Sequence, residues 1–128
     1  MKFRILSLMM LCLIGATSVK NGEDAPLFNL LNQDDQTVSL EEFKGKKVVL
    51  EWTNHDCPFV KRHYDTGNMQ NLQKEMSDQD VIWLSIVSSA EGKQGHITKN
   101  QAKELTNKRS AYPAHVLLDV EGSVGRMF

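Results

Sequence analysis

The chain has 128 residues, the size of one domain or part of one. Hydrophobic residues make up 41%, charged residues 24%, and the formal net charge is −1, a balance that excludes disordered, collagen-like and strongly basic nucleic-acid-binding chains. Two cysteines are too few for a disulfide scaffold, and no set of Cys and His residues has zinc-finger spacing.

Lys2 and Arg4 precede the uncharged run Ile5 to Ala16, which has the length of a signal-peptide core and is too short to span a bilayer. Ala16-Thr17-Ser18 places small residues before a cut after Ser18, with polar residues beyond. Residues 1–18 therefore read as a signal peptide and the protein as exported, periplasmic or secreted, with no membrane attachment once the signal is removed. The competing readings are an uncleaved anchor and a buried amino-terminal helix. Leu11 stands where a lipoprotein site needs a small residue, so Cys12 reads as discarded with the signal. The remaining 110 residues, 19–128, then carry 13 basic against 16 acidic side chains and one cysteine, Cys57, which has no internal partner.

Residues 19–26 read as a linker. Pro26 to Leu31, the turn cluster Asn32 to Gln36 and the alternating Thr37 to Leu40 predict a small hairpin. Leu40 to Lys46 reads as one helical turn stopped at Gly45, and Val48 to Trp52 as a strand buried on both faces. Pro58 opens a helix, since its missing amide hydrogen is one the first turn does not use. Phe59, Val60, His63 and Tyr64 fall at helical spacing, and Met69, Leu72 and Met76 continue the stripe after a break at Thr66-Gly67-Asn68. Val81 to Val87 is the clearest strand, followed by a polar loop from Ser88 to Ile97. Thr98 and Gln101 form a capping-box pair for a helix to about Lys108, and His115 to Asp119 is a third buried strand. Trp52, Trp83 and Tyr64 read as core residues. Strand, helix, strand, helix, strand is the order of an α/β sheet with crossover helices.

Cys57 stands between the strand 48–52 and the proline-led helix. There the free amide hydrogens and the positive end of the helix dipole favour a thiolate over a thiol. His55, Lys61, Arg62 and His63 are nearby in sequence and are candidate modulators of its ionisation. Most free cysteines are small buried hydrophobes; the strand-end position, the proline and the basic neighbours favour a reactive thiol instead. His55 and His63 read first as a loop residue and a half-buried helix residue. With Cys57 they lack a fourth ligand of matching spacing, so no metal is assigned.

At these residues the chain resembles the thioredoxin superfamily, in its redoxin branch of alkyl hydroperoxide reductase, thiol-specific antioxidant and peroxiredoxin-like proteins. The similarity covers residues 25–128 and rests on Phe43-Lys44-Gly45-Lys46, Trp52 five residues before the cysteine, Cys57-Pro58 at the helix start, and Leu117-Leu118-Asp119 before Gly122. It implies a thioredoxin-like fold, a central mixed sheet with flanking helices. It also implies that Cys57 is the redox-active position and Pro58 the first residue of its helix. The activity implied is that of a thiol oxidoreductase acting on a peroxide or a disulfide without a cofactor.

Three departures qualify the resemblance. Val60 stands where a dithiol oxidoreductase has its second cysteine, so resolution falls to an external thiol or thioredoxin-like donor. Asn54 and Leu50 occupy the positions where a peroxiredoxin has Thr or Ser and Pro, and the adjacent Thr53 is the candidate hydroxyl partner. The family also continues past Gly122 into a cis-proline segment, two strands and a helix, so the domain at 19–128 reads as incomplete. An incomplete sheet predicts an exposed strand edge. The alternatives to an enzyme are a non-catalytic thioredoxin-like binding module and an inactive fragment of a longer redoxin.

Overall fold

A computed structural model describes residues 19–128. The signal-peptide reading of residues 1–18, Cys12 included, lies outside the described residues.

The hairpin forms as expected from β1 (Asn29–Asn32) and β2 (Thr37–Ser39), antiparallel with Leu30 opposite Val38. Asn32 builds its turn. The side-chain Oδ1 accepts the Asp34 and Gln36 amides at 2.9 Å each, and Asp35 takes the left-handed conformation that Asp tolerates. Ser39 and Glu42 then cap a 3-10 turn, Leu40–Phe43.

Three parallel strands follow, β3 (Val48–Trp52), β4 (Ile82–Val87) and β5 (His115–Leu118), in the sheet order β2-β1-β5-β4-β3. β1 joins β5 antiparallel, which makes the sheet mixed. The strand buried on both faces is β4, not β3. Among the described residues β3 has a neighbour on one side only; Val48 to Glu51 are half-buried and Trp52 is 39% exposed. An apolar run reads the same for a central strand and for a border strand covered on its faces, so pattern alone could not separate them.

Alternation along β4 divides the core. Leu84 and Ile86 join Leu117, Phe28, Val38 and Val124 on one face, while Val87 joins Val116, Ile97 and Ala102 on the other. Ala102 belongs to α3 (Lys99–Arg109), which begins in the expected capping box: the Gln101 amide donates to Thr98 Oγ1 and the Thr98 amide to Gln101 Oε1.

α1 (Pro58–Asp65) and α2 (Asn68–Asp78) are separated where the sequence breaks, at Gly67 with φ of 72°. Their buried face is not the expected apolar stripe. Tyr64 is buried, but Phe59 is 75% exposed and Leu72 40%, while Gln73 is fully enclosed. The stripe fails because the sheet beneath presents polar groups, which only a polar side chain can satisfy.

After β5 the chain folds back over the core around Asp119. Its carboxylate accepts Ser88 Oγ at 2.6 Å and the amides of Gly125 and Val124 at 2.8 and 3.2 Å. Burial pushes the Asp119 carboxyl up, but the bonds from Ser88, Gly125, Val124 and Ser123 outweigh it and hold the group below the usual carboxylate range. Ser88 Oγ in turn accepts Trp52 Nε1, and the Trp52 ring lies 5.3 Å from that of Phe128. Trp52 is therefore a partly exposed cover residue, unlike the buried Trp83. No described helix is long and apolar enough to cross a membrane.

Candidate functional site

β3 delivers the chain to a short loop whose geometry is set by its own side chains. The Thr53 amide donates to Ile86 O, extending the ladder by one bond. Asn54 Oδ1 accepts the Asp56 amide at 2.9 Å, and Asn54 O accepts the Cys57 amide at 3.1 Å. Two local bonds from one asparagine form a compact turn ending at the cysteine.

The loop is clamped from outside by Gly95, whose amide donates to Asp56 Oδ2 at 3.3 Å. A β-carbon at Gly95 would stand 2.5 Å from Asn54 Cγ, and φ there is +83°. Both facts require glycine.

Cys57 is the N-cap of α1, half-buried, with extended backbone. Its carbonyl accepts the Lys61 amide, the first bond of the helix, while its side chain makes no capping bond. The sulfur therefore stands at the end of α1 uncommitted, with Pro58 at the first helical position. Among the described residues Cys57 is the only cysteine.

The other candidates are placed as follows. His55 lies in the loop, its Nε2 3.5 Å from Asp56 Oδ1 and its carbonyl accepting Arg109 Nη2 at 3.4 Å. Lys61 is exposed on α1, in a groove it shares with His55, Asp56 and Arg109. Arg62 and His63 are in the last turn of α1, about 8–9 Å along the axis from Cys57. His63 Nδ1 pairs there with Asn68 Nδ2 at 3.2 Å. The Thr53 hydroxyl is buried, and Thr53 lines a partly open cavity whose walls include Tyr64, Ser85 and Arg109 but not Cys57. Among the described residues no group of three or more His, Cys, Asp or Glu is placed to hold a metal ion.

A polar cluster behind the loop escaped the sequence reading. The Glu51 carboxylate accepts Trp83 Nε1 and Ser85 Oγ at 2.8 Å, Tyr64 Oη at 3.1 Å and Gln73 Nε2 at 3.4 Å. Burial and then the charge of Glu51 push the Tyr64 hydroxyl well above its ordinary range, so it stays protonated and donating. Arg109 stacks over the Tyr64 ring with its guanidinium carbon 4.4 Å from the centroid. The cluster joins β3, β4, α1 and α2. Its signal in the sequence was a single acid inside the apolar run Val48 to Trp52.

The mixed sheet, the helices on one face and a cysteine at the start of the helix after β3 define a thioredoxin-like protein, and solved structures bear out that fold. A crystal structure described as an uncharacterized conserved protein from Geobacillus kaustophilus is 25% identical with a TM-score of 0.71, over 82% of this chain and 55% of that one. The pneumococcal exposed lipoprotein thioredoxin Etrx1 of Streptococcus pneumoniae is 26% identical with a TM-score of 0.57, over 77% of this chain and 70% of that one. The Redoxin family model matches residues 20–128, and the chain belongs to the Redoxin family. A Haemophilus influenzae protein named "Putative peroxiredoxin bcp" is 35% identical over 66 residues, which is 52% of this chain. The chain spans 40% of the length of that curated relative.

Proposed function

We propose that the chain carries a thiol-dependent oxidoreductase centre in which Cys57 is the nucleophile. The observation that carries this reading is the uncommitted Cys57 side chain at the N-cap of α1, in a chain of the Redoxin family. The helix end offers amide hydrogens and a positive dipole to a thiolate. Pro58 contributes by removing one competing amide and fixing the helix start.

With a hydroperoxide, the thiolate attacks one peroxide oxygen and the O–O bond breaks heterolytically. Cysteine sulfenic acid forms, and the departing alkoxide or hydroxide takes up a proton. An external thiol then displaces water to give a mixed disulfide, and the thiolate of a second one releases Cys57 as thiolate and leaves as a disulfide. With a disulfide substrate, attack gives the mixed disulfide directly. External thiols complete both routes because position 60 is Val60. In this reading His55 and Lys61, which line a groove beside the loop, meet an incoming substrate, and Arg62 and His63 add positive or protonatable groups further along the helix. Residues 1–18 act as a leader in this reading, sending the domain to an oxidising compartment.

Peroxide treatment followed by a sulfenic-acid-selective probe should label the protein, and Cys57→Ser should abolish the label. Alkylation of Cys57 no faster than that of a free cysteine in a peptide would overturn the proposal.

A further inference from the structure

A cavity partly open to solvent, with a volume of about 40 Å³, lies between β4, the loop before Cys57 and α3. Thr53 Oγ1 is buried at its wall and bonds to no other protein atom. A buried hydroxyl without a partner carries a desolvation penalty comparable to a lost hydrogen bond, so such a group usually has a solvent partner. Thr53 does not lack polar company, but its neighbours are committed elsewhere. Thr106 Oγ1 donates to Ala102 O at 2.8 Å and Ser85 Oγ to Glu51, which leaves each oxygen able only to accept. Arg109 spends one N–H on His55 O and retains further donors. These residues line one cavity, and among them Thr53 Oγ1 is the buried side-chain atom left without a protein partner.

We propose that this cavity is a hydration site. About two to three water molecules fit its volume. One of them, held by Thr53 Oγ1, bridges the loop before Cys57 to the acceptors and donors of Ser85, Thr106 and Arg109. The bridge joins the loop to α3 across a wall that is otherwise largely apolar, with Val87, Ile97 and Val116 forming part of it. Water of this kind, with two to four polar partners, is part of the packed structure. It stiffens the backbone that presents Cys57 without touching the sulfur.

The test is a high-resolution crystal structure of the full chain, together with water-to-protein magnetisation transfer in solution. Ordered water within hydrogen-bonding distance of Thr53 Oγ1 is expected, with matching transfer to the Thr53 amide. Thr53→Val, nearly isosteric, should lose that water, melt about 3–6 °C lower and exchange the Cys57 amide faster. Thr53→Ser, which keeps the hydroxyl, should keep the water. No ordered water beside Thr53, with xenon entering the cavity and Thr53→Val melting higher than wild type, would overturn the proposal. Should Thr53→Val fail to fold, the wild-type density and magnetisation transfer decide alone.

Discussion

Replacing Glu51 tests the polar cluster that joins β3, β4, α1 and α2. In Glu51→Gln the retained carbonyl oxygen can keep Trp83 Nε1 and Ser85 Oγ, since both bond the same carboxylate oxygen. The amide nitrogen then faces Tyr64 Oη, which already accepts from Gln73, so one favourable donor becomes a mismatch. Loss of the charge weakens the remaining bonds as well, and the sum is about 1–2 kcal/mol. Glu51→Leu instead removes the acceptor from Trp83 Nε1, Ser85 Oγ and Tyr64 Oη together. Each stranded donor costs about 1–3 kcal/mol when water cannot reach it. Glu51 is half-buried, which lowers the total to about 3–6 kcal/mol, a large part of the 5–15 kcal/mol that holds an ordinary domain folded. Calorimetry should show Glu51→Gln melting about 4–8 °C lower and Glu51→Leu losing most of its cooperative transition. A leucine variant as stable as the glutamine variant would refute the reasoning, because the donors would then have found other partners.

The clamp at Gly95 separates two effects. Gly95→Ala combines a positive φ with a 2.5 Å collision against Asn54, whereas Gly92→Ala has a positive φ and open space. Urea titration should therefore place Gly95→Ala about 1–2 kcal/mol below Gly92→Ala, and the alkylation rate of Cys57 should change only in the former. Asp119 sets the acid limb of stability. Its carboxyl is held below its unfolded value, so on acidification the unfolded chain takes up the proton first. Stability is full above the ordinary carboxylate range and falls as pH drops through the folded value, below about pH 4. Melting curves of Asp119→Asn should be less stable at neutral pH and flatter below it. Tyr64 gives the opposite limb. Its folded hydroxyl titrates above the ordinary tyrosine range, so stability declines as the unfolded tyrosine ionises, and Tyr64→Phe should flatten that decline.

Much of the fold was legible because its punctuation is local. Gly67 between α1 and α2, the Thr98–Gln101 cap and the Asn32 turn each act within a few residues, so the sequence displays both cause and effect. The order of strands is a different matter. Val48 to Trp52 and Ile82 to Val87 are similar apolar runs, and only pairing shows that the second is central and the first borders the described sheet. Gln73 illustrates the same limit on helices. Its burial follows from Glu51 and Tyr64, which lie 22 and 9 residues away along the chain.

For the candidate site, the amino-acid order alone determined that Cys57 follows a strand and precedes a proline-led helix, since chain adjacency is enough to place a residue at a helix end. Tertiary structure decided what surrounds that loop. It brought Gly95 against Asn54 and Arg109 against His55, and it turned the Thr53 hydroxyl into a cavity. Those relations depend on how elements distant in sequence pack on the sheet, and burial, not spacing, selects them.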